Sequence, residues 1–293
     1  MKHITIFLFC NFTNIIMQSP GPIYTWHLFP KLDAKLVGLL SSLSPSDWEK
    51  QTIAPLWTVK DIAAHLLDTN LRTVSMLRDG YQGESPGVIH GYQDLVAYLN
   101  RLNADWVTAM KRISPKVLIE LLAITGPPYA NYLKSLDPFE KAKFSVAWAG
   151  EEESFNWFHI AREYTEKWHH QQQIRLVVGQ EEALYSPELY HPYLETSMRA
   201  LPYHYRNIKG IKEELIQFSI SGEGGGDWFL YYNGERWIQV VDATLNPICK
   251  VEIPGHIAWK LFTNASINFD KDILITGKQE LGNKLLEMKA VMM

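Results

Sequence analysis

The chain has 293 residues, of which 46% are hydrophobic and 20% charged, enough material for two domains or one large one. A formal net charge of −4 supplies no positive field for a polyanion, which argues against nucleic acid as a partner. Two cysteines, Cys10 and Cys249, argue against a disulfide framework and point to a reducing cytoplasm, and no apolar run reaches the roughly 18 to 20 residues of a membrane helix.

Residues 1–16 (MKHITIFLFCNFTNII) carry one lysine and then an apolar run from Ile4 to Cys10. The run is short and no small-x-small cleavage site follows, so residues 1–22 are read as an N-terminal extension rather than a signal peptide, with Met17 competing with Met1 as the start. From Tyr24 to Leu43 leucines recur at helical spacing. A second helix is expected over 59–79, capped by Thr58 and closed by Gly80, and the Gly- and Pro-rich stretch 80–91 reads as a loop. A third helix spans about 93–112. Between Pro115 and Leu136 the run Gly126, Pro127, Pro128 predicts two short helices. A long helix over about 153–178, stopped by Gly179, completes the helical part, 23–180.

After Gly179 the texture changes. A helix over about 187–206 precedes alternating stretches at 215–221, 228–232, 236–241 and 246–253, with Asn233-Gly234 as a two-residue hairpin signal. A helix at about 255–263, a strand at 273–276 and a last helix from about 279 to 289 complete an α+β domain over 186–293. The Gly222 to Gly226 run lacks the Lys-Ser/Thr of a phosphate loop and reads as a hairpin connection.

The chemistry concentrates in 157–175, WFHIAREYTEKWHHQQQIR. At helical periodicity His159, Glu163, Glu166 and His170 share one narrow arc, opposite Trp157, Ile160, Ala161, Tyr164 and Trp168. Glu166 and His170, one turn apart, are able to offer a carboxylate oxygen and a ring nitrogen to one divalent metal; a solvated polar face gives the same pattern. A third ligand has to come from another helix, and His65 is the natural donor. It shares a polar arc with Asp61, Asp68 and Arg72. Either the two polar stripes face water or they face each other across a cleft. His169 points about 100° away from His170 and is not read as a ligand. Trp57 reads as a packing residue at the helix entrance.

The segments WTVKDIAAHLLD (57–68) and REYTEKWHHQQQIR (162–175) resemble the paired signatures of the DinB-like superfamily, and within it the mycothiol-dependent maleylpyruvate isomerase branch. SGEGGGDWFL (221–230), IAWKLFT (257–263) and the closing ITGKQELGNKLLEMKAVM extend the resemblance over most of the chain from about residue 24. The resemblance implies a multidomain α and α+β chain: an N-terminal DinB-like four-helix bundle and a smaller, sterol-carrier-like α+β domain. It also implies a divalent metal, usually zinc, on His65, Glu166 and His170. Close members tend to have Asp where Gln173 stands, a departure that bears on the surroundings of the ligands.

The function implied by the resemblance is that of a metal-dependent enzyme using a low-molecular-weight thiol, mycothiol-like or bacillithiol-like. An open site with two imidazoles and one carboxylate keeps positive charge and stabilises a thiolate. In the isomerases such a thiolate adds to an activated double bond, which rotates before elimination. Related proteins transfer the thiol to electrophiles, so the expected partners are a small thiol and a small electrophile. The alternative is a non-catalytic metal- or ligand-binding module with a regulatory or stress-related role. His159 and Glu163 are candidates to line the cleft, and Arg162 and Arg175 to receive a substrate carboxylate. The sequence leaves the metal, thiol, electrophile and oligomeric state open.

Overall fold

The computed structural model describes residues 18–263 and 272–290. The two candidate starts and Cys10 fall in 1–17, outside the described residues. Helix α1 (Phe29–Ser42) buries Phe29, Leu32, Leu36, Leu39 and Leu40, the spacing of an amphipathic helix with one inward stripe. Helix α2 (Val59–Arg72) starts at a capping box in which the Thr58 hydroxyl accepts from the Asp61 N–H and the Asp61 carboxylate accepts from the Thr58 N–H. A π-helical extension, Thr73–Arg78, carries it on to Gly80, whose φ is 72°. The stretch 80–90 then runs without helix or strand, as expected.

Helix α3 (Tyr92–Met110) follows the loop, and α4 (Pro115–Ser135) corrects the expectation of two short helices, because it runs through Pro127 and Pro128 unbroken. Each proline forfeits an N–H bond to the preceding turn. Tyr129, Ala130 and Leu133, beyond the prolines, are buried, and packing of that turn outweighs the lost bonds. Gly126 allows the close approach to α1: a Cβ there would lie 2.8 Å from Asp33 Oδ2.

Helix α5 (Asn156–Val178) ends where Gly179 takes the left-handed conformation, at φ 69°. The expected helix over 187–206 is divided into α6 (Pro187–Met198) and the single turn α7 (Leu201–His204), Pro202 having no N–H to continue the ladder.

The C-terminal part is a five-stranded sheet of β1 (Leu215–Ile220), β2 (Gly226–Tyr232), β3 (Trp237–Val240), β4 (Cys249–Ile253) and β5 (Leu274–Gly277). Their order is β3-β2-β1-β4-β5, with β1 and β4 parallel and the other neighbours antiparallel. Helices α8 (Gly255–Phe262) and α9 (Gln279–Leu285) accompany it. The β2–β3 connection is longer than the two residues expected. Tyr232 pairs with Trp237, and Asn233 closes the turn with its side-chain oxygen, accepting from the N–H groups of Glu235 and Arg236. The Gly222–Gly226 run is a hairpin connection, and at Gly224 a Cβ would meet Tyr190 at 2.6 Å.

Tyr190 belongs to the joint between the two parts. The Trp168 indole on α5 stacks on Tyr190 (4.9 Å between centroids, 9° between planes) and Tyr193 (4.3 Å, 29°), both on α6, and meets Trp259 of α8 edge-on at 6.2 Å. One continuous core runs from Phe29 and Tyr129 through Trp168 to Phe218, Leu230 and Trp237 of the sheet. A second core, around Leu36, Ile62, Leu66, Leu118 and Ile174, lies within the bundle.

Candidate metal centre

The wheel of α5 predicted one apolar and one polar face, yet buried residues occur all round the helix. Its polar line is therefore an interior feature, and each member needs a partner or a ligand. The line divides into two clusters with different answers.

In the N-terminal cluster most polar atoms are partnered by protein groups, with His159 Nε2 and Asp33 Oδ2 buried without a partner among the described residues. Arg162 donates to Glu163 Oε1 at 2.8 Å and to the Ser145 carbonyl at 3.3 Å, with its Nη2 2.7 Å from His159 Nδ1. The Tyr129 hydroxyl donates to Glu163 Oε2 at 3.1 Å. Lys167 pairs with Asp33 at 2.7 Å and lies 4.2 Å from the Tyr129 ring centroid. Burial pushes the Glu163 carboxyl up, but Arg162, His159 and the Tyr129 hydroxyl together outweigh it and the group titrates below its ordinary range. Burial, reinforced by Arg162, lowers His159 to about 4, so its imidazole is neutral. His159, an expected cleft residue, is 1% exposed and Arg162, an expected carboxylate receiver, is 6% exposed, so both sit inside the bundle.

Arg175 is likewise committed. Its guanidinium donates to Gln171 Oε1 at 3.1 Å, the Lys35 carbonyl at 3.0 Å and the Gln180 carbonyl at 3.4 Å. Burial lowers its pKa to about 10. It ties α5 to α1, and at 4% exposure the guanidinium serves these protein acceptors inside the bundle.

The C-terminal cluster is different. Glu166 Oε2 lies 3.6 Å from His170 Nε2, and the His65 ring, brought by α2, meets the His170 ring edge-on at 4.7 Å. The stripes of α2 and α5 thus face each other here. Trp57 covers both rings, at 4.8 Å from His65 and 5.8 Å from His170. His169, which the wheel turns away, stacks on His170 at 4.7 Å and 16°. Donor atoms of Glu166, His169 and His170 all lie within 4.8 Å of one another.

Glu166 Oε1, His65 Nδ1 and both ring nitrogens of His169 are buried with no hydrogen-bond partner among the described residues. Such orphans cost of order 1 to 3 kcal/mol each, and a bound cation removes that cost. Burial, then His170, holds both His65 and His169 well below the ordinary histidine range, so both are neutral, the form that ligates. The chemistry of the donor set fits a divalent metal.

Gln173 completes the arrangement. Its Oε1 is 2.9 Å from His170 Nδ1, and as an amide oxygen it only accepts, so Nδ1 donates to it and Nε2, the nitrogen that faces Glu166, is the one placed to ligate. Gln171 and Gln172 turn elsewhere, to the carbonyls of Leu32 and Glu181. The i, i+3 spacing of His170 and Gln173 is a helix-face signal available in the sequence.

Residues 29–175 match the family described as "Mycothiol maleylpyruvate isomerase N-terminal domain". No curated protein sequence matches the chain. Among solved structures, a histidine-to-alanine mutant of the mycothiol-dependent maleylpyruvate isomerase is similar at a TM-score of 0.48 and 7% identity, covering 86% of this chain and 91% of that one. The crystal structure of the mycothiol-dependent maleylpyruvate isomerase without that mutation gives a TM-score of 0.46 and 8% identity over the same shares. The matched family signature spans half of the chain, which belongs to the mycothiol maleylpyruvate isomerase N-terminal domain family.

Proposed function

We propose that this member of the mycothiol maleylpyruvate isomerase N-terminal domain family is a divalent-metal enzyme using a small thiol, either an isomerase of the maleylpyruvate type or a thiol S-transferase. The observation that carries the reading is the set of orphaned buried atoms on Glu166, His65 and His169 gathered about His170, whose ring centroid lies 4.7 Å from those of both His65 and His169. We assign Glu166, His170 and His65 as the residues that would hold the metal. His65 reaches the site from a second helix and at 72° to the His170 ring, as a converging ligand does, whereas His169 lies nearly parallel to its neighbour. Zinc suits two imidazoles and a carboxylate.

A divalent cation held there supplies a Lewis acid that favours the thiolate form of a small thiol at neutral pH. The chain supplies the rest. Gln173 holds His170 in the ligating tautomer, Trp57 screens the two rings from water, and burial keeps His65 and His169 uncharged. The cation therefore meets neither of these two imidazoles in its protonated form.

The test is elemental analysis of purified wild type beside His65→Ala, Glu166→Ala and His169→Ala. The first two lose metal and the third keeps it; full occupancy in both of the first two overturns the assignment. Turnover of maleylpyruvate and simple electrophiles with a panel of thiols then addresses the class. A second reading, a non-catalytic metal- or ligand-binding module, rests on two cavities of about 500 and 530 Å³ that are lined by neither Glu166 nor His170. Metal retention with no turnover on any thiol selects it.

A further inference from the structure

A cavity of about 500 Å³ lies between the first turn of α5, α7 and the start of β3. That is within the range of small-molecule sites. It is separate from the metal residues. Trp157, in its wall, precedes Glu166 by nine residues, which puts the two on opposite faces of α5 and about 13 Å apart along its axis.

Its walls are flat and apolar: Trp157 stacked on Phe158 at 5.0 Å and 16°, with Trp237 and Tyr203. Three arginines line it. The Arg206 guanidinium lies 3.7 Å from the Tyr203 ring centroid and donates to the Tyr203 carbonyl at 2.6 Å, with no carboxylate against it among the described residues. Arg236 is exposed, and among the described residues its side chain makes no hydrogen bond. Arg199 is tied to the carbonyls of Pro20 and Gly21 and to Glu195, yet its Nε is buried without a partner. Against these stands one acid in the lining, Glu151, which accepts from the Ser154 hydroxyl.

We infer that this cavity binds a small organic anion with a flat, apolar body, its acid group on Arg206 and Arg236 and its body against Trp157 and Tyr203, the latter 39% exposed. Guanidinium donors in a fork match a carboxylate or sulfonate, and the indole and phenol ring supply apolar contacts. A neutral molecule of the same shape leaves the arginines unmatched, so charge sets the selectivity.

The probe is anilinonaphthalene sulfonate, titrated into the full-length protein and read by fluorescence and calorimetry, with phenylnaphthylamine as its neutral counterpart. Expected are one saturable site and affinity for the neutral probe about tenfold or more weaker. An Arg206→Gln, Arg236→Gln double variant with an unchanged melting temperature weakens sulfonate binding by about the same factor. Glu166→Ala leaves it unchanged, which separates this site from the metal centre. Equal binding of both probes, equal affinity of the folded double variant, or no saturable site overturns the inference.

Discussion

Two clusters share one helix and differ in how their polar atoms are satisfied. Around Glu163 both carboxylate oxygens, the guanidinium, the phenol and one imidazole nitrogen are matched to one another inside the protein, while His159 Nε2 and Asp33 Oδ2 are buried without a partner among the described residues. One turn further on, around Glu166 and His170, the donor atoms converge and remain unmatched. Composition does not distinguish them, since both offer a glutamate and a histidine at i, i+4. Hydrogen-bond accounting does: the closed cluster has the character of a structural tie and the open one that of a ligand site.

The largest expected effect that tests this contrast is metal loss. His170→Ala should reduce bound metal from about one equivalent to background with the fold retained by circular dichroism, because one of three ligands is gone. Glu163→Ala should do the converse. It leaves the Arg162 guanidinium, 8% exposed, without its carboxylate, which costs about 3 kcal/mol in urea unfolding, while metal content stays at wild type. Metal loss from Glu163→Ala with unchanged stability would break the distinction.

Acidification reads the closed cluster by a second route. The folded pKa of His159 is about 4 against an ordinary 6.5, so on lowering the pH the unfolded chain takes the proton first. Stability is therefore complete above pH 6.5 and falls progressively towards pH 4, by about 3 kcal/mol from this residue. His65 and His169, lowered by burial, add loss of the same sign. Urea midpoints across that interval measure the slope, which His159→Asn should reduce. A flat profile in the wild type would show that these imidazoles are solvated.

A smaller effect is expected at Gln173. Gln173→Ala frees His170 Nδ1, and metal affinity by chelator competition should fall about 10- to 100-fold, with unfolding free energy of the metal-free protein little changed. Gln173→Glu should retain or raise affinity, since a carboxylate accepts the same proton more strongly.

Much of this was legible in the sequence because it is local. The Thr58 cap, the Gly179 stop and the alternation of the strands are written within a few residues, as is the approach of Glu166 to His170 one helical turn away. What was not legible depends on distant partners. The α4 prolines are overruled by the buried turn beyond them, and Arg175 is consumed by carbonyls on α1 and after α5. A helical wheel assumes one wet side, so it set aside His169, which a helix buried all round brings back against His170. The arginine-lined cavity gathers residues from Ser19 to Gln239, and no local motif announces such a place.

The stacked Trp168 has a consequence for motion. It lies between Glu166 and His170 in the chain, and its indole is clasped by α6 and α8 on the sheet side. The backbone turn that presents the metal pair cannot fray without pulling that indole out of the shared core. Amide hydrogens over 164–172 should therefore exchange only at the rate of global opening, even in metal-free protein, and Trp168→Ala should bring in a faster, local route. Rigidity of the centre then draws on the C-terminal half, reached through the Trp168 ring together with the Tyr164 hydroxyl on the Leu189 carbonyl.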